Sequence, residues 1–145
     1  MLNKYTFGWK EWVLLPNLNT SAILAKLDTG ARTSSLHTVH EKVFLKDGVK
    51  WIRFCIALDS DEKRTAIAEA PLLETRNVTN SGGQTEERFV IETKLCIGSW
   101  QNIAEVTLTR RRGMKCQMLI GRSALSGLAI IDPEHTFLHP LIECE

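Results

Sequence analysis

Ala22-Ile23-Leu24-Ala25-Lys26-Leu27-Asp28-Thr29-Gly30-Ala31 is the stretch on which the reading of this chain turns. Ser21 to Leu27 alternates as a half-buried strand does and runs straight into an aspartate. Such a strand delivers a carboxylate rigidly. Gly30 lets the backbone turn sharply, so that nearby amides can aim at the carboxylate. Thr29 adds a hydroxyl that can bond a neighbouring backbone group and lock the loop. A lone Asp-Thr-Gly is also an ordinary turn at the end of a strand, so its weight depends on what else the chain contains.

The second motif, Met118-Leu119-Ile120-Gly121-Arg122, lies near the C-terminus and is followed by Leu125. Taken alone it is a core strand ending at a glycine. Ser123-Ala124-Leu125-Ser126 has the length of one helical turn, with Ser123 as its cap and Gly127 as its stop. Ala129-Ile130-Ile131 then reads as a buried strand halted by Asp132-Pro133. An aspartate loop followed much later by two apolar residues, a glycine and a short helix is far more specific than either piece. The glycine permits close backbone approach.

Between the motifs the chain reads as short strands separated by turns. Trp12 to Leu15 is closed by Pro16 and Asn17. Val43 to Leu45 leads into Lys46-Asp47-Gly48, and Val49 to Leu58 continues beyond it, a strong hairpin signal. Thr65 to Leu73, Phe89 to Leu95 and Ile103 to Leu108 are further strands. Ile97-Gly98-Ser99-Trp100 reads as a turn, and Asn80-Ser81-Gly82-Gly83 reads as the most flexible segment. The spacing predicts an all-β sandwich or barrel. The 145 residues suit a single domain over 1–145. An apolar fraction of 43% with 24% charged residues is ordinary for a globular chain. A net charge of +1 supplies no global field toward nucleic acid or lipid. No run approaches the roughly 18 apolar residues of a membrane span, and no secretory leader is evident, so a soluble cytoplasmic protein is expected. Cys55, Cys96, Cys116 and Cys144 form no Cys-x-x-Cys pair and read as reduced thiols, two disulfides being the alternative.

The pair Asp28-Thr29-Gly30-Ala31 and Leu119-Ile120-Gly121-Arg122 resembles a retropepsin. More closely, Gly8 to Pro16 and Ala25 to His37, with Gly82, Arg88, Val90 and Ile131-Asp132-Pro133, resemble a bacterial and archaeal family of retropepsin-like aspartic endopeptidases, often labelled ATP-dependent zinc proteases. The resemblance implies a closed β-barrel with one short helix after Gly121-Arg122. It also implies a homodimer with its active site on the two-fold axis. Pepsin-like chains carry two aspartate motifs, and this chain carries one. A two-fold would bring Asp28 of each subunit together. Two carboxylates sharing one proton then act as general base and general acid in peptide hydrolysis. In this scheme Asp28, Thr29 and Gly30 are catalytic, with Leu119, Ile120 and Gly121 supporting the loop. Ala31, Arg32, Gly82, Gly83, Arg88 and Arg122 contact substrate, with Asn80 to Gly83 as the tip of a closing flap.

The chain departs from the retroviral pattern at Arg32. There, retroviral enzymes usually carry a second aspartate that pairs with the arginine of the Gly-Arg element, so Arg122 lacks its expected partner. Arg32, Arg76, Arg88, Arg110-Arg111-Arg112, Lys115 and Arg122 can instead bind an acidic peptide, since guanidinium forks match carboxylates. Arg110 to Lys115 is equally readable as a solvated turn. Some members of the family lie beside ATP-grasp ligases that add glutamate, which makes a glutamate-rich substrate and a functional link to such a ligase reasonable. The histidines are His37, His40, His135 and His139, and no His-Glu-x-x-His helix motif exists; a zinc site could in principle combine Asp28, His37 and a remote histidine. No phosphate-binding Gly-x-x-x-x-Gly-Lys loop is present either, and no cofactor is expected. A peptidase, a non-catalytic acidic-peptide-binding module and a zinc hydrolase are thus the competing readings.

Overall fold

Alternating sequence becomes paired strand along most of the chain. The structure, a computed structural model, describes residues 5–18, 20–79, 82–111, 113–125, 127 and 129–142. Strand β4 (Ser34–Lys46) and strand β5 (Val49–Ala57) form the expected hairpin. Asp47 and Gly48 between them have φ of 51° and 78°, the double positive φ that a two-residue turn matching strand twist requires. Strand β6 (Thr65–Pro71) pairs along its whole length with Trp51 to Ala57 of β5. Strands β7 (Glu74–Thr79), β8 (Thr85–Ile97) and β9 (Trp100–Thr109) follow as an antiparallel meander.

The first and last parts of the chain meet in the centre. Strand β3 (Ile23–Asp28) lies between β2 (Lys10–Val13), antiparallel to it, and β10 (Met118–Gly121), parallel to it. The long ladder runs β2-β3-β10-β4-β9-β8-β7. β4 serves two ladders. Ser34 to His37 sits between β10 and β9, and from Thr38 onward the strand pairs with β5, with a register shift between Val39 and Lys42. His40, at a φ of 58°, marks the bend. The core lies between these layers, with Leu27, Leu36, Phe54, Ile91, Leu95 and Ile120 all buried.

Among the described residues the fold is all-β with one helix of four residues, α1 (Arg122–Leu125), directly after Gly121. The closed barrel expected from the resemblance is not found, because no ladder closes among the described residues. The ladder ends at β2 on one side and at the projecting β7 on the other, while β5 and β6 branch off at β4. A single bridge, Leu14 with Cys96, draws β2 toward β8 without joining them along their length. Strand β11 (Ala129–Asp132) pairs in parallel with β1 (Tyr5–Gly8) in a separate two-stranded sheet. The sequence predicts it to be buried, yet Ile130 is 51% exposed, since among the described residues β11 pairs with β1 only.

The buried carboxylate of Glu11 ties the two ends of the chain together. It accepts the amides of Gly8 at 2.7 Å, Leu138 at 2.9 Å and His139 at 3.3 Å. The cysteines depart from the reduced-thiol expectation. Cys96 is disulfide-bonded, whereas Cys55 and Cys116 are free; Cys144 lies outside the described residues. Among the described residues no helix is long and apolar enough to cross a membrane.

Candidate active site

Asp28 is the last residue of β3 and stands in register with Gly121, the last residue of β10. One carboxylate oxygen, Oδ1, accepts the Gly30 amide at 2.9 Å. The Ala31 amide returns to the Asp28 carbonyl at 3.2 Å and closes the turn. The loop is then laced to the second motif: the Arg122 amide donates to Ala31 O at 2.8 Å, and the Ser123 amide donates to Arg32 O at 3.1 Å. The Gly121 amide donates to Oγ of the buried Ser34 at 3.1 Å.

Gly121 is a glycine for a steric reason. A Cβ there would lie 2.6 Å from both the C and the O of Thr33 and 2.9 Å from the C of Arg32. The aspartate loop therefore rests directly on the β10 backbone. Ile120 beneath it is fully buried in the core, and Leu119 is half-buried on the opposite face.

Arg122 does not wait for an acidic partner. Its Nη1 reaches the carbonyls of Thr29 at 3.4 Å and Gly30 at 3.3 Å, bracing the loop from within the chain. Arg32 is exposed and borders a cleft of ≈ 890 Å³, together with Thr33, Asn77, Thr79, Glu105 and Ser123. The β7–β8 hairpin forms the far wall of this cleft. Its ends are joined by a hydroxyl bond from Thr79 to Thr85 at 2.9 Å. Gly82 and Gly83 are exposed near its tip, Gly83 with a φ of 82°; Asn80 and Ser81 lie outside the described residues.

Asp28, Thr29, Gly30, Ala31, Arg32, Leu119, Ile120, Gly121 and Arg122 thus form one contiguous site, while Gly82, Gly83 and Arg88 belong to the hairpin. Arg88 donates to Glu86 at 2.7 Å, and the Thr109 hydroxyl donates to the same oxygen at 2.9 Å. The Arg88 bond, then the Thr109 bond, hold the Glu86 carboxyl below its ordinary range against desolvation. Arg76 is paired with Glu74 and, at 2.8 Å, with Glu105; these bonds raise it further above its already high value.

Two features escaped sequence reading. Ser34 is the acceptor on which Gly121 rests, a role that composition does not flag. Arg111, expected as part of a solvated turn or an anion-binding run, is only 9% exposed. It donates to Cys116 O at 3.2 Å and Ser35 Oγ at 3.5 Å. Burial pushes its pKa down and the nearby Arg88 charge adds to that, while Cys116 and Asp28 work against it.

His37, the histidine weighed for zinc, is fully buried with both ring nitrogens engaged. Nδ1 faces Gln117 Oε1 at 2.6 Å, and Nε2 faces Glu62 Oε2 at 2.9 Å. Gln117 Nε2 donates to the Met114 and Lys115 carbonyls, so its oxygen accepts from His37. His135 bonds Asp132 and His139 bonds Thr6 O. Among the described residues no group of three His, Cys, Asp or Glu side chains is placed to hold a metal.

Comparison with known proteins agrees with this geometry. The model of the family described as RimB-like, retropepsin-like aspartic endopeptidase RimB, matches residues 6–141. A probable alpha-L-glutamate ligase of Parasynechococcus marenigrum (strain WH8102) is 42% identical over 135 residues, which are 92% of this chain and 29% of that protein. A probable alpha-L-glutamate ligase of Shewanella halifaxensis (strain HAW-EB4) is 36% identical over 136 residues, 93% of this chain and 30% of that protein. The chain therefore spans less than a third of the length of these relatives. Among solved structures, the protein Lpg0085 of Legionella pneumophila, of unknown function, superposes with a TM-score of 0.76 at 26% identity, over 92% of this chain and 96% of that one. With the aspartate loop, its supporting Leu119-Ile120-Gly121 strand and a match over nearly the whole length, the chain belongs to the RimB-like family of retropepsin-like aspartic endopeptidases.

Proposed function

We propose that this chain is one half of an aspartic-type endopeptidase whose catalytic pair is Asp28 from each of two subunits. One observation carries the reading. The Asp28 carboxylate is rigidly presented at the end of β3, and only Oδ1 is bonded, by the Gly30 amide, among the described residues. The second oxygen is left for the proton that a carboxylate pair must share. In the pair, the ionised member takes a proton from water as its oxygen attacks the peptide carbonyl carbon. The protonated member gives its proton to the carbonyl oxygen. Collapse of the resulting diol breaks the C–N bond and sends a proton to the leaving amine. The Thr29 hydroxyl has no partner among the described residues, which supports its use between the two loops of a dimer.

Exposed Arg32, at the border of the cleft, supports an acidic peptide as substrate, because arginine forks bind carboxylates. The kinship with proteins named as glutamate ligases supports the same class and a functional link to a ligase of that kind. That kinship also favours a second reading, in which the domain binds acidic chains for a ligase without cutting them. Replacing Asp28 by Asn separates the two. The peptidase reading expects cleavage of acidic peptides by the unaltered protein, insensitive to chelator and lost in Asp28→Asn with the fold intact. Binding of uncut peptide by both proteins supports the second reading, and activity restored only by zinc supports the hydrolase alternative.

A further inference from the structure

The face of the sheet that carries Asp28 also carries unpaired positive charge. Side chains two residues apart on a strand share a face, about 7 Å apart, so Lys26 projects beside Asp28. β3 buries Ile23, Ala25 and Leu27 on its other face. Lys26 stands in register with Lys10 on one flank and Leu119 on the other. Lys10 and Leu119 are half-buried and turned the same way, while their neighbours Glu11 and Ile120 are fully buried.

Two lysines directly opposite one another destabilise a sheet unless something neutralises them. Neither has a carboxylate within ion-pair distance among the described residues. Lys10 Nζ is instead held over the rings of Trp9 at 5.2 Å and Phe137 at 5.7 Å. Arg111 extends the charge, because its bond to Ser35 places it over the residue in register with Leu119. It too lacks a carboxylate partner among the described residues. Lys10, Arg111 and Lys26 all act electrostatically on the Cys116 thiol, opposing the rise that burial imposes on it, so the three cations surround one region.

We propose that Lys26 and Lys10, walled by Leu119, form the side-chain subsite next to the scissile bond and select a glutamate or aspartate side chain there. This rests on the dimeric reading of Asp28. The two-fold that pairs the aspartates sets one copy of the subsite on each side of the cleaved bond, so the favoured bond joins two acidic residues. Arg111 behind the pocket adds a fixed charge that water screens little.

The test compares matched hexapeptides with Glu-Glu or Gln-Gln at the centre. The unaltered protein should cleave the Glu-Glu peptide with a kcat/KM at least about tenfold higher, the scale of one charge-assisted hydrogen bond. Lys26→Met and Lys10→Met should each shrink that ratio, and the double variant should bring it within about twofold. A ratio that survives in the double variant overturns the subsite and leaves the peptidase reading standing. The same peptides, fluorescently labelled, are titrated in parallel against Asp28→Asn with and without Lys26→Met. If nothing is cleaved but Asp28→Asn prefers the Glu-Glu peptide and loses that preference with Lys26→Met, the subsite stands and the peptidase reading falls. Equal binding of both peptides by Asp28→Asn, with equal or no cleavage, overturns the inference.

Discussion

Substituting Gly121→Ala puts a single methyl group where the two motifs of the site touch. The new Cβ would sit 2.6 Å from the C and O of Thr33, where side-chain carbons essentially never come within 3.0 Å. At least 0.4 Å must be recovered, and the obstructing atoms are backbone rather than the end of a flexible side chain. Moving β10 away stretches the Gly121 amide bond to Ser34 and the Arg122 amide bond to Ala31. Overpacking of this kind costs about 1–3 kcal/mol, and one weakened internal hydrogen bond adds about 1 kcal/mol. The expected loss is therefore about 3 kcal/mol, or roughly 6–12 °C in Tm for a domain of this size. Urea titration followed by tryptophan fluorescence measures it. Gly83→Ala is the comparison: no atom of the described residues lies within 4 Å of its Cβ, and its φ of 82° is unfavourable, so about 1 kcal/mol is expected. Equal losses at the two positions, or an unchanged midpoint for Gly121→Ala, would refute the reasoning that the aspartate loop rests on the β10 backbone.

Glu11→Gln replaces an acceptor of three amide bonds with a side chain that must turn an NH₂ toward one of them; a loss of about 3 kcal/mol is expected in urea unfolding. Acid should loosen the hairpin. Glu86 has its carboxyl held below the ordinary range by Arg88 and Thr109, so its contribution is present above the unfolded-state value and is lost as pH falls through the lower folded-state value. Glu86→Gln should remove that part of the acid sensitivity, read as the pH dependence of amide exchange along β8. Arg122→Met should leave the Thr29 and Gly30 carbonyls without their brace, and faster amide exchange confined to the aspartate loop checks it.

The strand-loop character of Asp28 and the glycine of the second motif were legible because each answers a local demand, a sharp turn and a close approach. The Asp47-Gly48 hairpin was legible for the same reason. Strands β1 and β7 were missed: Tyr5 to Gly8 is too short to show a period, and Glu74 to Thr79 is polar on both faces, as a projecting hairpin strand can be. The first half of β4 was missed because Ser34, Ser35, His37 and Thr38 are polar yet buried, satisfied by tertiary partners such as the Gly121 amide and Gln117 that no local pattern reveals. Arg111 was misplaced in the same way: its run of arginines reads as solvated until β9 carries it back over Ser35. The open ladder departs from the expected barrel because β4 changes partners between His37 and Thr38, which depends on the long-range positions of β5 and β9. Lys26 and Lys10 lie far apart in sequence and acquire meaning only in the β2–β3 register.

Mixed dimers give the most direct test of a shared Asp28 pair. Unaltered protein and Asp28→Asn, differently tagged, are combined in equal amounts, allowed to exchange subunits, and assayed on an acidic peptide at constant total concentration. If each active site needs Asp28 from both chains, activity falls to about a quarter of the unmixed value, since only that share of random dimers carries two aspartates. Once the tags show that subunits have exchanged, activity of about half, as for chains that each act alone, or of about three quarters, as for a shared site that needs one Asp28, would contradict the account.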